Sequence, residues 1–226
     1  MKFKIVVIMG LDGCGKTTQA NLLSQKLSEM GTQAEIIWLR GESYLTRPLI
    51  KIGKFVLRAP GESKRGEGIR DHSYKTYVSS KKALFRNPLA RAIWKVLALF
   101  DAYLSLRFAL RRIRSQAHVL IFDRYIYDTI IDIDTAFGSE GREVSNILDS
   151  GFMKIFPKPD LVILLEIDPK EAIKRKDDIP SLEYLEERFP LYNMVADTIG
   201  ARRIDATQSI EEIGDEIVSL VGGILA

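Results

Sequence analysis

The 226-residue chain has one cysteine, Cys14. That excludes an internal disulfide framework and gives no sign of a cysteine-based metal site. There is no internal repeat, no low-complexity tract and no composition break that reads as a linker. A long uninterrupted apolar run is also missing. The nearest, Ile93–Leu110, is broken by Lys95, Asp101 and Arg107 and makes a poor membrane span. It is expected to be a helix buried against a sheet, with a membrane-surface role as the alternative. The apolar stretch inside MKFKIVVIMGLDG is too short for a signal region and runs into a glycine-rich loop. It is read as a strand, and an intracellular, cytoplasmic protein is expected.

A large excess of charge of one sign is missing, since 33 Lys/Arg against 30 Asp/Glu leave a net charge of only +3. It is unevenly spread. Gly41 to Lys95 holds thirteen Lys/Arg against four Asp/Glu, a local +9. Such asymmetry points to an anionic substrate or partner near that segment, or to a solvated basic face. Apolar residues make up 46% and charged residues 28%, ordinary values for a globular protein with a sizeable core.

Short β-rich runs alternate with helical patterns. Phe3–Met9, Glu35–Leu39, His118–Phe122, Leu161–Leu165 and Arg202–Asp205 read as five strands. They are nearly continuous apolar runs, so a parallel sheet covered on both faces is expected. Lys16–Met30 is an amphipathic helix with Ala20, Leu23 and Leu27 on one side, and Gly31 is its stop signal. Asp168-Pro169 with Glu171, and Ser209 with Glu212, read as helix starts with capping-box acids. Gly41–Asn87 is the least regular stretch and is assigned to helices and loops that carry specificity.

Gly10-Leu11-Asp12-Gly13-Cys14-Gly15-Lys16-Thr17 fits G-x-x-x-x-G-K-[ST] without a mismatch, between a strand and a helix. Glycines let successive N–H groups point at phosphate oxygens, and the helix start adds partial positive charge. Lys16 is expected to neutralise β- and γ-phosphate charge, and Thr17 to ligate Mg²⁺. Cys14 is a small loop residue that would make the site sensitive to thiol alkylation. Asp12 is unusual, because a carboxylate there is repelled by phosphate. It serves the metal shell or an acceptor, or it makes a local turn hydrogen bond. Phe122-Asp123-Arg124-Tyr125 follows the third strand, at the carboxyl edge where ligands bind in open α/β sheets. Asp123 suits Mg²⁺ through water or an acceptor, and Arg124 suits a phosphate. A structural Asp–Arg pair is the alternative.

With GLDGCGKTTQ, FDRY, PDLVILLEIDPKEAIKRK and RIDATQSIEEI in this order, the chain resembles the thymidylate kinase family of P-loop nucleoside monophosphate kinases nearly end to end. The resemblance implies a three-layer α/β P-loop NTPase fold. Its sheet would have five parallel strands in the order 2-3-1-4-5, with helices on both faces. It implies one kinase domain over 1–226, an acceptor region over residues 40–115 and a short lid over 174–184. ATP as co-substrate and Mg²⁺ are implied, with a homodimer formed through helices beside the sheet. Gly10, Asp12, Gly13, Cys14, Gly15, Lys16, Thr17 and Thr18 would hold ATP, with Arg175 from the lid. Thr17 and Asp123 would serve the metal. Lys16, Asp12, Asp123, Arg124 and Arg175 would act in catalysis. This phosphate loop has no arginine, so Arg175 is the candidate clamp; an exposed basic residue late in a helix is the alternative reading.

Two departures lie on the acceptor side. Leu39-Arg40-Gly41-Glu42-Ser43-Tyr44 stands where a T-R-E-P-G-like segment is usual, and Phe100–Ser105 where a D-R-x-Q-like stretch is usual. Arg40, Tyr44, Asp101 and Tyr103, with Asp12 and Arg124, are the acceptor candidates. The expected reaction is dTMP plus ATP to dTDP plus ADP. The alternatives are a same-fold kinase for another nucleotide, nucleoside or anion, and a P-loop ATPase whose basic segment grips a nucleic acid or acidic surface. The lid run with Arg175 favours a kinase, so a nucleic-acid partner is not expected.

Overall fold

The computed structural model describes residues 3–39, 85–113 and 118–225. Five strands form one sheet: β1 (Lys4–Gly10), β2 (Ala34–Ile37), β3 (Val119–Asp123), β4 (Leu161–Glu166) and β5 (Arg202–Asp205). Their order is β2-β3-β1-β4-β5, and every pairing is parallel. The described helices are α1 (Lys16–Glu29), α2 (Pro88–Arg112), α3 (Ile126–Phe137), α4 (Arg142–Leu148), α5 (Pro169–Ala172), α6 (Leu182–Ile199) and α7 (Ile210–Leu225). This is the expected fold, with strand ends shifted by at most two residues.

The apolar runs explain the core. Val6 to Met9 of β1 and Val119 to Phe122 of β3 are fully buried. Both are central strands, which must bury both faces, so polar alternation is absent there. α1 and α7 pack together, and α3 packs on α2, α4 and α6. α1 stops at Glu29 because Gly31 turns into the left-handed region, φ +79°. Ser209 and Glu212 form the expected reciprocal box: the Ser209 N–H donates to Glu212 Oε2 and the Glu212 N–H to Ser209 Oγ. Asp168 caps α5 by accepting from the Lys170 N–H, but Glu171 pairs with Lys174.

The register fixes the site. Ile8 of β1 lies opposite Asp123 of β3, and Gly10 lies opposite Leu165 of β4. The Arg124 N–H continues the pairing by donating to the Ile8 carbonyl. The carboxyl ends of β1 and β3 therefore open side by side.

α2 corrects one expectation. It packs on α3 with Leu99, Asp101, Ser105 and Leu106 buried, and is not a wholly buried helix. Leu89, Ile93, Val96 and Phe100 on its other side are 48–66% exposed. Asp101 is buried within the run, whereas Lys95 and the preceding Arg91 reach partners on neighbouring elements. Lys95 pairs with Glu143 at 3.0 Å, and Arg91 donates to the Phe137 carbonyl and Ser139 Oγ. Among the described residues, no helix is long and apolar enough to cross a membrane.

Candidate active site

The loop after β1 depends on glycines where a side chain would collide. Gly13 has φ +92°, and a Cβ there would sit 2.4 Å from the Ala172 carbonyl oxygen of α5. At Gly10 a Cβ would meet the Leu165 carbonyl oxygen at 2.6 Å. The loop is thus pressed between β4 and α5, and only backbone fits. Lys16 folds over it, with Nζ donating to the carbonyls of Gly10 (2.8 Å) and Leu11 (2.7 Å). Gly15 precedes α1, whose first N–H groups lack intrahelical partners. No acidic residue lies in that first turn, and Thr17 and Thr18 are exposed. The arrangement suits an anion.

Beside the loop, the end of β3 contributes Asp123 and Arg124. Thr17 Oγ1 donates to Asp123 Oδ2 at 2.5 Å. Asp123 is 4% exposed, and its Oδ1 is buried with no hydrogen-bond partner. A buried carboxylate oxygen without a partner is unfavourable unless a cation or water completes it. This hydroxyl–carboxylate pair therefore fits Mg²⁺ taken together with phosphate oxygens and water. Among the described residues there is no group of three or more His, Cys, Asp or Glu that would form an all-protein cage.

Arg124 stands in the left-handed region, φ +78°, which a non-glycine residue adopts only when its surroundings hold it. One arm of its guanidinium pairs with Asp12 Oδ1 of the phosphate loop. The other lies 3.5 Å from Asp128 Oδ1 on α3. Asp128 in turn accepts from the Tyr125 N–H at 3.0 Å and from the Tyr192 hydroxyl at 2.7 Å. Burial and the Asp128 charge hold the Tyr192 hydroxyl well above the ordinary phenol range. It therefore stays a proton donor. Asp12 Oδ2 accepts from the Tyr184 hydroxyl at 3.0 Å.

Gly10–Thr17, Asp12, Asp123 and Arg124 are thus brought together at one sheet edge. Arg175 is exposed and tied elsewhere: its guanidinium donates to the Ala206 carbonyl, past β5, at 2.8 Å. Asp101 is buried on the inner side of α2. Tyr103 packs edge-on against Phe156, ring centres 6.4 Å apart. Arg40 and Tyr44 lie outside the described residues. Asp128, Tyr184 and Tyr192 escaped sequence reasoning. The one available signal was Asp128, a helical turn beyond Arg124.

A phosphate-binding strand–loop–helix beside a hydroxyl–carboxylate pair, on a 2-3-1-4-5 parallel sheet, defines a P-loop kinase. No protein-family model matches the chain. Its sequence is 30% identical over 235 residues to a thymidylate kinase of Prochlorococcus marinus strain MIT 9312, covering 96% of this chain and 94% of that one. It is 30% identical over 219 residues to a probable thymidylate kinase of Methanosphaera stadtmanae, covering 94% of each. A solved thymidylate kinase structure from Candida albicans shares the fold, with a TM-score of 0.62 at 20% identity over 98% of this chain and 92% of that one. The chain belongs to the thymidylate kinase family.

The Cys14 environment works against the expected sensitivity to thiol reagents. The side chain is 2% exposed, and burial raises its pKa above the ordinary thiol value despite the nearby Lys16 ammonium. A raised pKa leaves less thiolate at neutral pH, and thiolate is the reactive form. Iodoacetamide at pH 7.5 is expected to label the folded protein at least about tenfold more slowly than free cysteine. Full reactivity should return in denaturant. Labelling of the folded protein at the free-thiol rate would contradict this environment.

Proposed function

We propose that this chain catalyses dTMP plus ATP to dTDP plus ADP in the cytoplasm, as a single kinase domain. The observation that carries the proposal is the Asp12–Arg124 pair, which joins the phosphate loop to the residue after Asp123. Family membership supplies the substrate pair. In this reading ATP lies on Gly10–Thr18, with loop N–H groups and Lys16 against the β- and γ-phosphates. Mg²⁺ would be held by Thr17 and Asp123 and would neutralise charge on the phosphate oxygens. Arg124 presents its guanidinium to the acceptor phosphate. Arg40, Tyr44, Asp101 and Tyr103 are the further acceptor contacts, in the region over residues 40–115.

An oxygen of the acceptor phosphate attacks the γ-phosphorus, and the bond to the β-phosphate oxygen breaks. The acceptor oxygen is already ionised near neutrality, so no strong general base is needed. Catalysis is therefore positional and electrostatic. The lid over residues 174–184 closes over the transferring group. Arg175 leaves the Ala206 carbonyl to reach it, exchanging one backbone hydrogen bond for phosphoryl charge.

ADP release across a panel of nucleoside monophosphates, nucleosides and no acceptor tests the reading. The expected outcome is strong, dTMP-selective turnover that Lys16→Ala lowers at least about a hundredfold while the fold is retained. Silence with dTMP, with ADP release on another acceptor or none, would contradict it. Turnover of Lys16→Ala within about threefold of wild type would contradict the donor assignment.

The uncovered side of α2 supports a homodimer. Leu89, Ile93, Val96 and Phe100 follow a 4-3-4 spacing, which lines them on one helical face. Burying a large apolar side chain contributes ~1.5–3 kcal/mol, and a two-fold contact counts each twice. Sedimentation is expected to give a dimer for wild type and a monomer for Val96→Glu. A wild-type monomer at micromolar concentration would overturn this assembly.

A further inference from the structure

Tyr184 is tied down at three points. It stands in the first turn of α6, at the last position of the 174–184 lid segment, and its N–H donates to the capping Ser181 Oγ at 3.2 Å. The Arg188 guanidinium lies over its ring, 3.7 Å from the centre. Arg188 is itself paired with Asp132 of α3 at 3.0 Å. The ring is thus covered on one face by Arg188, and its hydroxyl ends on Asp12 Oδ2. Asp12 and Tyr184 are 172 residues apart in sequence. The bond therefore joins the helix that starts at the lid's end to the phosphate loop.

The chemistry of Asp12 gives this bond a task. Its carboxylate is about five-sixths buried, with 16% side-chain exposure, and pairs with the guanidinium of Arg124, 11% exposed. Under the proposed phosphotransfer, on which this inference rests, the same guanidinium must turn toward an acceptor phosphate. A carboxylate and a phosphate dianion then compete for one cation in a site with little water. A carboxylate that lost Arg124 without another donor would be left buried and under-bonded, and it would repel the incoming anion. A hydroxyl already donating to Oδ2 lowers both penalties. A phenol is suited to this, because it stays neutral at working pH and donates in a fixed direction.

We infer that Tyr184 is a positioning residue for the acceptor site: its hydroxyl holds Asp12 so that Arg124 is released to the acceptor phosphate. The lid and the acceptor clamp are thereby coupled through one hydrogen bond. Movement of the α6 start moves the Tyr184 hydroxyl, and with it the strength of the Asp12 hold on Arg124.

The test is calorimetric titration of dTMP, and separately of MgATP, into wild type, Tyr184→Phe, Asp12→Asn and the double variant. Tyr184→Phe is expected to weaken dTMP binding about five- to tenfold, the net size of one ordinary hydrogen bond. MgATP affinity should stay within about twofold, and the melting temperature within a few degrees. In the Asp12→Asn background the Tyr184→Phe effect should vanish, because the charge that the hydroxyl manages is gone. An equal loss for both substrates, or the same loss with Asn at position 12, would overturn the inference and reduce Tyr184 to packing. If wild type binds no dTMP, the acceptor assignment fails on its own. The four proteins are then titrated with inorganic phosphate in the presence of ADP, where the same pattern is expected and its absence overturns the Tyr184 role.

Discussion

Asp12 and Arg124 meet across 112 residues of chain because β1 and β3 lie side by side in parallel register. Everything at the site follows from that pairing. The ladder that sets Ile8 against Asp123 carries the phosphate loop and the DRY segment out of the same sheet edge. Their side chains need only one bond each to connect: Thr17 to Asp123, and Asp12 to Arg124. The sheet can hold this edge rigid because its central strands are fully buried. Rigid backbone is what a reaction driven by positioning requires.

The polar network behind Arg124 is not there for stability. Burying an ion pair removes two charges from water, and the attraction recovers about what desolvation removes. The gain is orientation. Asp128, buried and bonded to the Tyr192 hydroxyl and the Tyr125 N–H, cannot rotate, and one arm of Arg124 is held beside it. The other arm pairs with Asp12 of the phosphate loop. Arg124 thus has a fixed anchor and an exchangeable partner, the arrangement a phosphate clamp needs. Its left-handed backbone is the strain this geometry carries, on the order of 1–3 kcal/mol.

Local signals made most of the fold readable in advance. The strands are near-continuous apolar runs, the loop has glycines at positions that tolerate no Cβ, and Gly31 and Ser209 mark helix ends. These features act within a few residues, where sequence and structure are directly linked. α2 was misread because an apolar run states that a surface avoids water, not what covers it. The burial of Cys14 was not legible because it depends on how the folded chain packs around the loop, which no local pattern records. Tyr184 and Tyr192 could not be found because their roles arise from contacts 172 and 64 residues away, whereas Asp128 left a local signal in its i,i+4 spacing from Arg124. Arg40 and Tyr44, the acceptor candidates beyond β2, lie outside the described residues.

The central claim is that Arg124 serves the acceptor while the loop serves the donor. Steady-state kinetics of Arg124→Lys, with dTMP and ATP varied in turn, tests it most directly. Lysine keeps the charge but lacks the fork that spans Asp128, Asp12 and a phosphate. The account predicts a loss in kcat/KM for dTMP of about a hundredfold or more, with the KM for ATP within about threefold of wild type. A loss shared equally by both substrates, or one smaller than about threefold for dTMP, would contradict it.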